Sequence, residues 1–269
     1  MTVSWAGIAA DYDRSFGLMC AGAVPALLEA VGAPSAGTAG AGGSAEPGTL
    51  LDAGCGTGVA AAEAVARGWQ VTGVDAEESM VSFARERVPG ARFEVAELAR
   101  LPYGDEAFAA VVANFAVNHV EHPSACVAEL RRVARPGAPI AVTVWPWQPT
   151  ELNQLWAAII DETGTKPAGG FVMPEASDFA RTEEGVSGLL SAGGFAVREA
   201  RRVAWSFAVP ADDLWAGVAA GLGTIGQAYV ATTDAGRAAI AAAYRERVSG
   251  LGPVLRYPVE AVLVAGVAD

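Results

Sequence analysis

Lysine is almost missing from this chain. Lys166 is the only one in 269 residues, and every other positive charge is an arginine. Lys and Arg number 18 against 30 Asp and Glu, a formal net charge of −12. So acidic a surface repels phosphate backbones, which argues against a DNA or RNA substrate. Arg131-Arg132 and the arginines between 198 and 202 read as solvated side chains on a helix or strand face. Cysteine is sparse too: Cys20, Cys55 and Cys126 are an odd, scattered set without metal-ligand spacing. That pattern excludes a disulfide framework and fits a reduced, cytoplasmic compartment. There are only two histidines, His119 and His122, and no ligand cluster, so no metal is expected. No apolar run approaches the ~20 residues of a membrane span. The opening Met1-Thr2-Val3-Ser4-Trp5 lacks the basic region of a secretory signal. No membrane partner is expected.

What is present is a globular composition, 52% hydrophobic and 18% charged. The length is enough for one sizeable core, or a core plus a modest cap. The chain is organised around Leu50-Leu51-Asp52-Ala53-Gly54-Cys55-Gly56-Thr57-Gly58. An apolar run ends in a carboxylate, three glycines follow at alternate positions, and Val59 to Arg67 is a run of helix formers stopped by Gly68. Strand, glycine turn, helix is the setting a nucleotide-type cofactor loop needs, because glycines let backbone approach a ligand closely.

The rest of the chain falls around that loop. Residues 1–33 read as an N-terminal helical cap, with Pro25 opening a helix over 25–31. Residues 34–48 are small and low in complexity, a flexible linker. Residues 49–145 alternate strands at 50–53, 70–75, 92–95, 108–114 and 140–145 with helices at 59–67, 77–88 and 124–133. Such alternation predicts a parallel sheet with helices on both faces. From 146 to 269 the pattern changes: helices over 151–161, 178–191 and within 210–250, and strands at 195–207 and 259–267. This part is expected to complete the core and to carry a substrate-covering lid. Trp145, Trp147, Trp156, Phe171, Trp215 and Tyr229 fall there; they are core aromatics or the walls of a pocket for an apolar or planar substrate.

Four features lie at carboxyl ends of strands, where open α/β sheets bind ligands. They are the loop at 52–58; Asp75, 17 residues after Gly58; Ala96-Glu97-Leu98; and Asn114-Phe115. An acid at position 75 suits the two hydroxyls of an adenosine ribose, or merely caps the next helix. Glu97 suits an adenine amine, or is a surface acid. Cys55 reads as a small loop filler rather than a nucleophile.

These residues resemble the class I S-adenosylmethionine-dependent methyltransferases. Asp52 to Gly58 is similar to that family's first motif, and Gly73-Val74-Asp75 with Met80 to its second. Leu101-Pro102-Tyr103 with Phe108, the run Phe115 to Pro123, and Arg132-Val133-Ala134-Arg135-Pro136-Gly137 resemble later motifs in order and spacing. The likeness covers about 50–145 and looks closest to the small-molecule, ubiquinone-type branch. It departs from the pattern at Glu97 for the usual Asp, Ala109 for the acid after Phe, and Asn118 for the first of two histidines. A dinucleotide fingerprint would place its third glycine where Val59 stands.

The resemblance implies a Rossmann-like three-layer sandwich: a seven-stranded, mostly parallel sheet with an antiparallel C-terminal strand and a helical lid. It implies S-adenosyl-L-methionine as cofactor, held by Tyr12, Asp52, Ala53, Gly54, Cys55, Gly56, Gly58, Asp75, Ala76, Met80, Glu97, Leu98, Asn114 and Phe115. His119 is the candidate base, or packs the start of the following helix, and His122 is a surface helix cap. The expected activity is in-line methyl transfer to a small, hydrophobic metabolite, as in secondary-metabolite tailoring, by a monomer or homodimer. The alternatives are an enzyme using the sulfonium only as a fixed charge, as in a cyclisation, and a non-catalytic binding protein.

Overall fold

A computed structural model describes residues 7–34, 48–165 and 177–269. The expected linker, but for residues 34 and 48, lies outside these, as do Met1 to Trp5, Lys166 and Phe171. The chain divides into two compact units: one draws on residues 1–22, 147–172 and 204–259, the other on 23–146, 173–203 and 260–269.

The second unit holds the glycine loop. Its strands are β1 (Thr49–Ala53), β2 (Gln70–Asp75), β3 (Arg92–Val95), β4 (Ala110–Asn114) and β5 (Pro139–Val144). Two longer strands, β6 (Phe195–Pro210) and β7 (Val254–Ala268), run through both units. Among the described residues they form one seven-stranded sheet in the order β3-β2-β1-β4-β5-β7-β6. The first five strands pair in parallel. β7 returns antiparallel against β5, from Pro139 opposite Val267 to Val144 opposite Val262. The order reverses between β1 and β4, the switch point at which ligands bind such sheets.

Alternation of side chains along each strand splits the core into two layers. Leu51, Val111, Ala113, Ile140, Val142 and Val264 face one cluster, shared with Val127, Leu130 and Val133 of α6 (Pro123–Val133) and Val186 and Leu190 of α8 (Glu183–Ala192). Leu50, Val71, Val112, Ala141 and Leu263 face the other, shared with α3 (Val24–Val31), α4 (Val59–Ala66) and α5 (Glu78–Arg87). β4 is buried on both faces, and each of its valines contributes about 1.5–3 kcal/mol of apolar burial. α5 places Glu78 in its first turn and Arg85 and Arg87 in its last, as the helix dipole favours.

The fourth strand begins at Ala110 rather than at 108, because Phe108 makes only an isolated bridge to Ala134. The helix expected over 178–191 begins at Glu183, where Thr182 caps it by accepting the Gly185 N–H at 3.1 Å.

The first unit is helical: α1 (Ala9–Arg14), α2 (Phe16–Ala21), α7 (Glu151–Thr163), α9 (Ala211–Ala219), α10 (Gly223–Ala231) and α11 (Asp234–Val248). α1 and α2 are separate because Ser15 leaves helical geometry at φ −119°, ψ −99°. Its core gathers Trp156, Leu214, Ile225, Ile240 and Tyr244. Trp215 and Tyr229 pack against this core, whereas Trp147 is exposed. No helix among the described residues is long and apolar enough to cross a membrane.

Candidate functional site

The loop after β1 is made possible by left-handed backbone. Gly54, Gly56 and Gly58 have φ of 74°, 51° and 82°, a region that side-chain-bearing residues rarely adopt. At Gly54 space forbids a side chain as well: a β-carbon would lie 2.3 Å from the Cβ of Ala116 and 3.7 Å from Cδ1 of Leu98. The first loop thus meets the ends of β3 and β4. The Gly54 and Cys55 amides both donate to the Val74 carbonyl, at 2.8 and 2.9 Å, fastening the loop to β2. Cys55 is buried and its thiol pKa is pushed far up, chiefly by burial and then by the charges of Asp52 and Asp75. That is the environment of a filler, not a nucleophile.

Two acids flank the loop with different surroundings. Asp52 has no exposed surface, and neither carboxylate oxygen has a hydrogen-bond partner. Burial pushes its pKa up to about 7; the Asp75 charge adds to this, and an incomplete interaction with the Ala61 amide opposes it. Asp75, half-buried at the end of β2, is well partnered. Its Oδ2 accepts the Gly56 N–H at 2.9 Å and its Oδ1 accepts the Glu77 N–H at 3.0 Å. Burial raises its pKa, while those two amides act in the opposite sense. Asp75 thus braces the turn that precedes α5 and ties it to the glycine loop. Each oxygen keeps a second lone pair for another donor.

The remaining candidates line the same strand ends. Ala53 and Met80 are buried, Ala76 is exposed, and Leu98 is buried beside Gly54. Glu97 is exposed, its backbone bridging to Arg100. Asn114 ends β4, and its Oδ1 accepts the Thr143 hydroxyl at 2.7 Å. Phe115 stands at φ 54°, an outlier for an aromatic residue, and its ring stacks on Trp145 with centroids 3.8 Å apart and planes 8° from parallel. Trp145, expected among the lid aromatics, belongs instead to this edge.

His119 ends a 3-10 turn, Val117–His119, after β4. Its side chain is exposed by surface area although protein surrounds it densely. That crowding, and secondarily the positive charge of Arg181, lower its pKa to about 4, so the imidazole is neutral at pH 7. The neighbouring Asn118 is buried with its Oδ1 unpartnered. His122 occupies the N-cap position of α6 but makes no capping bond through its side chain; its Nδ1 lies 3.4 Å from the Ser177 hydroxyl. Tyr12 belongs to α1 of the first unit, where its side chain hydrogen-bonds Cys20.

Thr143, whose hydroxyl donates to Asn114, is signalled in the sequence only as the lone hydroxyl of the otherwise apolar Pro139–Val144.

The arrangement suits an adenosyl cofactor carrying positive charge. Backbone can approach closely at the glycines, an acid stands at the end of β2, and a buried carboxylate completes no hydrogen bond. A pyrophosphate would meet two acids here instead of a cation.

Residues 51–142 match the family described as "Methyltransferase domain". The demethylmenaquinone methyltransferase of Beutenbergia cavernae is 34% identical over 111 residues, 40% of this chain and 46% of that protein. The malonyl-[acyl-carrier protein] O-methyltransferase of Serratia marcescens is 32% identical over 163 residues, 60% of this chain and 62% of that protein. The chain spans about half the length of the curated relatives it matches. A similar solved fold is the geranyl diphosphate C-methyltransferase of Streptomyces coelicolor A3(2), described as a complex with Mg2+, geranyl diphosphate and S-adenosyl-L-homocysteine. It has a TM-score of 0.50 and 16% identity over 91% of this chain and 79% of that one. The match is confined to the glycine-loop core, and it is through this core that the chain is similar to S-adenosylmethionine-dependent methyltransferases.

Proposed function

We propose that the protein transfers a methyl group from S-adenosyl-L-methionine to a small, hydrophobic metabolite, in the manner of a secondary-metabolite tailoring enzyme. The observation that carries this reading is Asp52: a fully buried carboxylate, whose oxygens complete no hydrogen bond, beside a glycine loop. A buried acid of that kind calls for a cationic partner, and an amino acid carrying an ammonium and a sulfonium answers that need where a phosphate would not.

When bound, S-adenosylmethionine supplies a methyl group activated on sulfonium. The protein's tasks are then alignment, exclusion of water and handling of one proton. Gly54, Gly56 and Gly58 would admit the ligand against backbone, Asp75 would receive the ribose hydroxyls, and Leu98 and Met80 would offer apolar surface to the purine, with Glu97 as acceptor for its amine. Asn114 and Phe115 close the edge. For an acceptor that must lose a proton, a ring nitrogen of neutral His119 takes it. The stack of the buried Phe115 ring on the half-buried Trp145 supports an apolar or planar acceptor. The relatives' names, a demethylmenaquinone methyltransferase and a malonyl-[acyl-carrier protein] O-methyltransferase, are compatible with the small-molecule branch. The sparse, scattered cysteines support a cytoplasmic enzyme.

Calorimetry with S-adenosylmethionine and S-adenosylhomocysteine tests the cofactor, with micromolar binding of both expected. No heat at millimolar ligand rejects the reading. Incubation with methyl-labelled cofactor and cell extract, followed by mass spectrometry, then seeks the product. Label appearing in a small molecule supports methyl transfer; turnover that leaves the cofactor intact rejects it.

A further inference from the structure

We propose that Thr143 is a positioning residue of this site. It touches no ligand itself, but holds the strained turn at Asn114-Phe115 that forms the cofactor and acceptor edge. The inference rests on the function proposed above.

Three hydrogen bonds converge on Thr143. The Phe115 N–H donates both to the Thr143 carbonyl and to its Oγ1, each at 3.1 Å. The Thr143 hydroxyl in turn donates to Oδ1 of Asn114 at 2.7 Å. The hydroxyl is thus acceptor for one residue and donor for the next, its geometry fixed from both sides. Thr143 is wholly buried in β5, opposite Asn114 in the parallel register of β4 and β5.

The turn needs such support. A phenylalanine at φ 54° is strained, and strain of this kind persists only where the surroundings over-determine it. Strained backbone also gathers where a side chain must point in a direction ordinary strand geometry does not offer. Here the result is a Phe115 ring lying almost flat on Trp145, two residues beyond Thr143 and just past the end of the neighbouring strand. Next along the chain, Ala116 fills the space opposite Gly54. The hydroxyl of Thr143 therefore fixes the orientation of one carboxamide, one aromatic wall and the surface against which the glycine loop rests. A strand side chain whose only duty was to fill space would be valine, as at Val142 and Val144.

The test compares Thr143→Val, which keeps the shape and removes the hydroxyl, with Thr143→Ser, which restores it. Affinity for S-adenosylhomocysteine is read by calorimetry, the Phe115–Trp145 stack by near-ultraviolet circular dichroism of the ligand-free protein, and folding by thermal melting. The valine variant is expected to stay folded, lose the aromatic dichroism of the wild type and bind about tenfold more weakly, the worth of one buried hydrogen bond. Serine is expected to recover both readouts. A folded valine variant with wild-type affinity and dichroism overturns the inference, and so does a serine variant as impaired as valine. Should valine fail to fold, the serine result and Thr143→Cys, which offers only a weak donor, decide in its place: both binding as wild type overturns the inference, and loss in cysteine alone supports it. A wild-type protein that binds no S-adenosylhomocysteine sinks the functional reading instead, so the two failures are distinct.

Discussion

Oδ2 of Asp75 accepts the N–H of Gly56 at 2.9 Å, so the acid that ends the second strand also holds the loop that follows the first. Its other oxygen accepts the Glu77 N–H, which makes one carboxylate a joint between the turns that follow β1 and β2. Charged acceptors of this kind are worth more than neutral ones. Removing Asp75 should therefore cost more than two lost ribose contacts. Asp75→Ala is expected to weaken S-adenosylhomocysteine about a hundredfold or more by calorimetry. Asp75→Asn should do no better, because its amide group presents a donor to one of two backbone donors. Unchanged affinity in the alanine variant would refute the ribose role.

Asp52 makes binding and stability depend on pH in opposite directions. Its folded pKa of about 7 lies above the ordinary aspartate value, so the native protein favours the protonated acid. The stabilising contribution is complete below the unfolded value near pH ~4 and is lost as pH rises through about 7. A cationic ligand wants the ionised form, and its affinity should climb over the same interval. Asp52→Asn is expected to raise the melting temperature of the ligand-free protein at pH 8, to flatten its dependence on pH, and to weaken the cofactor. Melting curves from pH 5 to 9 for both proteins provide the measurement. An identical pH dependence in the two would show that Asp52 is not the titrating group.

The steric demand at Gly54 can be isolated from its backbone demand. Gly54→Ala introduces a methyl 2.3 Å from Ala116 and also places alanine at φ 74°. Binding should be lost, with about 1–3 kcal/mol of stability. Ala116→Gly in the same chain removes the clash but not the backbone cost, so chemical denaturation should recover part of the stability and no more. Full recovery would mean that the left-handed conformation costs nothing here; no recovery, that Ala116 is not the obstacle.

Most of the sheet is legible in the sequence, because its causes are local. Valine-rich runs, glycine punctuation and Pro123 at the head of α6 each act within a few residues. The candidate acids and glycines were legible for the same reason, since they follow strand ends. The Thr143 network was not, because it joins residues 28 and 29 positions apart and depends on the register of β5 against β4. Separate N-terminal helices were likewise hidden. Gly22 ends α2 where a β-carbon would lie 2.1 Å from Nε1 of Trp205, a neighbour far away in sequence. The early start of β7 at Val254 has a local pattern after all: Leu255, Tyr257 and Val259 alternate with exposed neighbours, although Pro258 conceals it.

His119 offers the sharpest test of the proposed chemistry. Its pKa, lowered to about 4 by crowding and by Arg181, leaves the ring neutral throughout the range in which the enzyme would work. An ordinary histidine base would switch off as pH fell through ~6.5. Here the base limb of the rate profile should lie well below that, and kcat should be level between pH 6 and 8 as far as His119 governs it. His119→Ala is expected to lower kcat about a hundredfold, the lower end for a general base and in keeping with a weakly basic imidazole. S-adenosylhomocysteine affinity should be unaffected, because the residue handles the acceptor's proton rather than the cofactor. Arg181→Met removes the nearby charge and should move the base limb upward. A His119→Ala enzyme with full kcat would reduce His119 to packing the turn before α6, and the proton would then have to leave the acceptor directly to water.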